Sequence, residues 1–190
     1  MEQAPLSAPD LGLTGILVGA LVFLTHLAGV LAPGPLITGA RAFPRSRFWG
    51  TLLVAAATLW AAWIANTTDL GEFTPIRTLI VLGSVAAGGL LWRFVPDFLS
   101  SRSLGFLLLL AAHPVLEATF LRTGPLKLGL ALLAYGWALA GLFLVGMPVL
   151  HRDVIGWICA RRERWTAACL GGLVYGLFLL IAGLVAELHS

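Results

Sequence analysis

The sequence predicts an all-α protein: a polytopic transmembrane bundle of six helices, with both termini on the non-cytoplasmic side. Three observations carry this expectation. Of 190 residues, 59% are apolar and 11% charged, whereas an ordinary soluble domain holds roughly 45–50% and about 25%. Apolar runs of membrane-spanning length recur six times. The arginines and lysines collect on alternate connections between those runs. The composition excludes a soluble enzyme, a disordered tail and a nucleic-acid-binding module. The formal charge of +3 is therefore read as topology, with no nucleic acid as partner. Crossing a roughly 30 Å hydrocarbon layer takes about 20 residues, so six crossings use about 120. Little remains for a soluble head, and residues 1–190 are expected to form one domain.

The first span is 11–32. The residues before it include Glu2 and Asp10 but no Lys or Arg, unlike the basic start of a secretory signal, so this run is expected to be a retained helix. It stops at Pro33-Gly34-Pro35, where donors are lost and the backbone loosens. The second span, 48–66, lies between Arg47 and Asp69 with no charge inside it. The third, 75–94, carries Arg77 and Arg93 at its ends, where long stems can reach the headgroups. The fourth, 103–121, holds an internal acid, Glu117. The fifth is 128–150, between Lys127 and His151, and the sixth is 165–186.

The connections after spans one, three and five hold nine basic residues: Arg41, Arg45, Arg47, Arg93, Arg102, Arg152, Arg161, Arg162 and Arg164. The opposite face holds three: Arg77, Arg122 and Lys127. The positive-inside bias puts the first set in the cytoplasm and both termini outside, in a cell inner membrane. Trp49, Trp92, Trp157 and Trp165 fall at the inner interface and Trp60 and Trp63 toward the outer one, as amphipathic rings prefer. Trp137, in mid-span, is read as a packing residue. In 152–164, Val154, Ile155, Trp157 and Ile158 can share a helical face. This predicts a short helix on the inner leaflet, with Arg161, Arg162 and Arg164 against lipid phosphates. Cys159 and Cys169 fall near the same reducing face, where a disulfide is not expected, and they make no metal site.

Without a hydrophobic drive between helices, packing in lipid relies on small residues. Gly12, Gly15 and Gly19 share a face of span one, Ala168, Gly172 and Gly176 one of span six, and Gly136, Gly141 and Gly146 recur along span five. These stripes fit contacts within the chain or with a partner subunit.

Three ionisable groups lie deep in the spans and are the candidate functional residues: His26, His113 and Glu117. His113 and Glu117 are four apart, on one helical face. Pro114 between them is expected to kink the helix, its freed carbonyl satisfied by neighbours. The pair fits three roles: fixing helix register, handling a proton or substrate through Glu117 and His113, or holding a cofactor. A neutral imidazole on His113 or His26 suits a haem or chlorophyll-type pigment. The span bounds leave the two imidazoles about 6 Å apart in depth, which favours a single histidine ligand over a pair. His151 and His189 fall at interfaces and are expected to be solvated. No catalytic residue is assigned. Walker, His-Glu-x-x-His and dinucleotide motifs are lacking, and Gly83-Ser84-Val85-Ala86 departs from the Gly-x-Ser-Gly of intramembrane proteases.

Pro33-Gly34-Pro35 at the end of the first span, with Arg41 beyond it, resembles the LysE-type amino-acid exporter family. That resemblance covers about ten residues. It implies a six-helix exporter of similar length. The family also has an Asn-Pro in a later helix, where this chain has His113-Pro114, and no binding residue is carried over. The expected function is thus a non-catalytic integral membrane subunit or scaffold, set among lipids and other membrane subunits or further copies of itself. The alternative is a small-solute or proton-coupled exporter with Glu117 as its coupling acid.

Overall fold

A computed structural model of the chain describes residues 10–95 and 97–188. Glu2 and His189 lie outside them. All regular elements among the described residues are helical. Six stretches are long and apolar enough to cross a membrane: Leu11–Leu31, Arg47–Thr67, Gly71–Phe94, Leu99–Thr119, Pro125–Gly146 and Arg162–Leu188.

Helix α1 (Leu11–Leu31) starts where Asp10 Oδ1 accepts from the Gly12 amide at 2.7 Å, satisfying a donor that the helix leaves free. It ends at Ala32, φ −128°, ψ 60°, because the residue before a proline is pushed out of the helical region. Pro33-Gly34-Pro35 does more than stop a helix. It opens α2 (Pro33–Ala42), with proline at the first helical position, where its missing N–H costs nothing. A 3-10 turn, Phe43–Arg45, leads to Ser46, whose Oγ accepts from the Trp49 amide and caps α3 (Arg47–Thr67). A second 3-10 turn, Gly71–Ile76, precedes α4 (Arg77–Phe94). Arg77 donates to Asn66 O at 2.6 Å and Thr68 O at 3.0 Å. It thus closes the carbonyl end of α3.

Helix α5 (Leu99–Thr119) continues through Pro114. Helix α6 (Pro125–Gly146) ends four residues before the predicted limit of span five. Pro148 removes the next helical donor and restricts Met147, then opens α7 (Pro148–Cys159). The predicted inner-surface helix therefore starts earlier than 152. After a short turn, α8 (Arg162–Leu188) completes the chain.

The chain forms two compact units. One comprises Met1–Gly39, Ala111–Ala138 and Val154–Ser190, the other Ala40–Leu110 and Leu139–Asp153. The first is built on α1 against α8. A β-carbon at Gly183 would lie 2.9 Å from Gly12 O, and one at Gly19 would lie 3.0 Å from Gly176 O. Only glycine admits this approach, so the stripes of spans one and six meet each other within the chain. Trp165 Nε1 donates to Gly29 O at 2.9 Å. Beside the seam, Ala112, Val115, Leu126, Leu130, Ala134 and Leu179 form the buried core, and Tyr175 Oη donates to Gly129 O at 2.7 Å.

In the second unit, Gly88 of α4 receives Thr58 of α3, and Trp92 Nε1 donates to Thr51 Oγ1 at 3.2 Å. Gly105 and Gly141 face each other, each placing a β-carbon 2.8 Å from the other's carbonyl oxygen. Gly136 and Gly146 face open space, so the glycines of span five make no continuous stripe.

The seam gives a direct stability test. Gly176→Leu is expected to lower the unfolding free energy in mixed micelles by at least about 1–3 kcal/mol, the usual cost of overpacking. Gly136→Leu is expected to leave it unchanged. Equal effects would show that close helix approach is not what holds this unit.

Candidate functional site

His113 and Glu117 sit on consecutive turns of α5, with Nδ1 and Oε2 4.0 Å apart and side chains 73% and 51% exposed. At that distance they are neighbours without a hydrogen bond. The same helix turns Ala112, Val115 and Ala118 inward, each nearly fully buried. The three-to-four residue period therefore sends His113 and Glu117 to the outside of the unit. His113 lies six residues from the end of α5, about 9 Å inside it by helical rise. Glu117 is within the last turn. A polar pair thus lies on a surface that the described residues leave open, toward the end of a helix of membrane-spanning length.

His26 belongs to a different environment. It is half-buried, its Nδ1 2.7 Å from Val22 O. A carbonyl only accepts, so Nδ1 carries the proton and donates. The ring lies against Gly172, at the place a β-carbon would occupy, with its Cδ2–Nε2 edge toward that glycine. His26 is therefore a seam residue of α1 and α8. It is fifteen residues from the start of α1 and His113 six from the end of α5. Each imidazole has its own neighbours, Val22 O and Gly172 for His26 and Glu117 for His113.

Of the three arginines assigned to lipid phosphates, Arg161 and Arg162 are exposed. Arg164 is engaged locally: Nη1 donates to Trp157 O at 3.2 Å, and the guanidinium lies 4.2 Å from the Trp157 ring centroid. This cation–π contact ties the start of α8 to α7. Among the described residues no three His, Cys, Asp or Glu side chains gather as a metal site.

One polar cluster escaped the sequence reading. The first turn of α5 reads Ser100-Ser101-Arg102-Ser103, and its three serines are at most 1% exposed. Ser100 Oγ donates to Phe43 O at 2.6 Å, Arg102 Nη1 donates to Val145 O at 3.0 Å, and Ser103 Oγ lies 3.5 Å from Gly50 O. Ser101 Oγ and His151 Nδ1 are 2.8 Å apart, and Phe43 meets the His151 ring edge-on at 5.9 Å. One helical turn thus ties segments 43 to 57 residues away in sequence. Burial pushes the His151 pKa below its ordinary value of 6.5, since desolvation disfavours the charged ring. The sequence signal was a run of small hydroxyl residues around an arginine at a span end, which topology alone also accounts for.

These spans define a multi-pass helical membrane protein. Comparison with known proteins finds no family model, curated protein or solved structure that matches the chain.

The cluster has a pH signature. A base with a lowered folded-state pKa binds its proton first in the unfolded chain, so its contribution is complete above about pH 6.5 and lost as pH falls below it. The melting temperature in detergent is expected to fall between pH 7 and 5, and by less in His151→Gln, which keeps a side-chain partner for Ser101. Identical slopes would contradict the assignment.

Proposed function

We propose that this chain is a non-catalytic subunit or scaffold of a larger membrane assembly. In that assembly, the His113–Glu117 face of α5 is covered by a partner helix or by a haem or chlorophyll-type pigment on His113. The outward position of the pair is the observation that carries this reading. Ionisable side chains within a spanning helix are costly and ordinarily face protein or a water-filled cavity. Here they face away from the unit that bears them. A second copy or another subunit would supply the missing polar environment. His26, held in the seam, is the weaker ligand candidate.

The distribution of basic residues supports an orientation. The ends of α1, α4 and α6 adjoin the nine-arginine face, which would lie in the cytoplasm with both termini outside, in a cell inner membrane. Arg161 and Arg162, exposed where α8 begins, would meet lipid phosphates. An exporter with Glu117 as its coupling acid is the second reading, favoured by the proline-glycine-proline break between α1 and α2. A coupling acid is expected along an interior path, whereas Glu117 points outward, so the geometry supports the subunit reading better.

Native mass spectrometry after extraction from the source membrane tests this. The expected result is a complex heavier than the 20.1 kDa chain, through added polypeptide or pigment mass. His113→Ala/Glu117→Ala is expected to release the chain as a monomer with an unchanged melting temperature. A wild-type chain found alone, colourless and equally stable in both forms would overturn the proposal.

A further inference from the structure

A cleft of about 630 Å³ opens in the second unit, where α4 ends, α5 begins and α6 gives way to α7. Its volume is in the range of small-molecule sites. Its position, at the ends of three spanning stretches, is headgroup level. Arg102, Asp97 and Asp153 supply its charges. Asp153 is already neutralised, its Oδ1 accepting from Arg152 Nε at 2.9 Å and lying 2.8 Å from Nη2. Arg102 is not. One Nη donates to Val145 O, while its buried Nε has no partner. That Nε is shielded as well as unpaired, so the described residues satisfy this guanidinium only in part. Phe98, which also lines the cleft, has a left-handed backbone, φ 55°. That strain is costly for a bulky side chain. Phe94 and Met147, 70% and 58% exposed, line the same cleft and make part of it apolar.

We propose that this cleft binds a phosphate ester. The phosphate oxygens pair with the Nη of Arg102 that does not bond Val145, and an apolar portion lies along Phe94 and Met147. Two sources carry that chemistry at this depth: a phospholipid headgroup with its acyl chain on the apolar part of the cleft, or a water-soluble phosphate ester. Asp97 at the rim opposes an anion and would weaken binding. The proposal rests on the spans and on unit two alone, not on the subunit reading.

The test uses full-length protein in nanodiscs of phosphatidylcholine with increasing phosphatidylglycerol, read by native mass spectrometry, and sn-glycerol 3-phosphate titrated in detergent. Arg102→Gln is expected to reduce occupancy at least tenfold, and Asp97→Asn to raise it about threefold. Because Arg102 also holds Val145, Val149→Trp, which fills the cleft and spares the arginine, is the second variant. It is expected to lose binding at an unchanged melting temperature. A retained phosphatidylglycerol adduct sensitive to both blocking variants identifies lipid as the source. Saturable glycerol phosphate binding with the same sensitivity and no lipid adduct identifies a soluble ester. Binding of neither probe, or wild-type occupancy in a folded blocking variant, would overturn the proposal.

Discussion

Helices in hydrocarbon gain nothing from hiding apolar surface, so the first unit depends on how closely two backbones can approach. At the α1–α8 seam the approach is set by glycine on both sides: Gly12, Gly15 and Gly19 against Gly176 and Gly183. Adding a β-carbon at Gly19 or Gly176 would bring it against opposing backbone, which cannot move aside as a flexible side chain can. The other features of the unit follow from this spacing. His26 can lie across Gly172 only because that residue has no side chain. Trp165 reaches Gly29 O because the helices are already close. Leu130 and Leu179 then close the core beside the seam.

The second unit uses hydroxyl groups at one helix end. Ser100 and Ser101 are fully buried, a placement that is favourable only when each hydroxyl has a partner. Phe43 O and His151 supply those partners. The turn binds distant segments through short, directional bonds, in a region where the chain repeatedly leaves and re-enters helical structure. Proline organises those transitions. Pro33 and Pro148 each open a new helix after the preceding one has ended.

Much of this architecture was legible in the sequence. Six spans follow from hydropathy because every backbone polar group in lipid needs an internal partner, which makes long apolar runs helical. The glycine stripes of spans one and six were visible as i, i+4 patterns. Their mutual pairing was not, because a small face carries no address. Span five looked longer than α6, since Pro148 lies within an unbroken apolar run and its effect on the helix is geometric rather than compositional. The Ser-Ser-Arg-Ser turn was missed because short hydroxyl side chains barely interrupt apolar character. His113 and Glu117 were found as intramembrane groups, but a single helix does not reveal which way its polar face turns. That depends on the burial of Ala112, Val115 and Ala118 against the rest of the unit.

The account turns on what lies against the outer face of α5. Phe120, 72% exposed, lies in the turn just after α5, its amide bonded to Glu117 O. Replacing it with a photoreactive benzoylphenylalanine and irradiating intact membranes reads the neighbour directly. A discrete crosslinked band, from another subunit or a second copy of the chain, is the expected result. Labelling of lipid alone, with no polypeptide adduct, would contradict the claim that this face is covered by a partner helix.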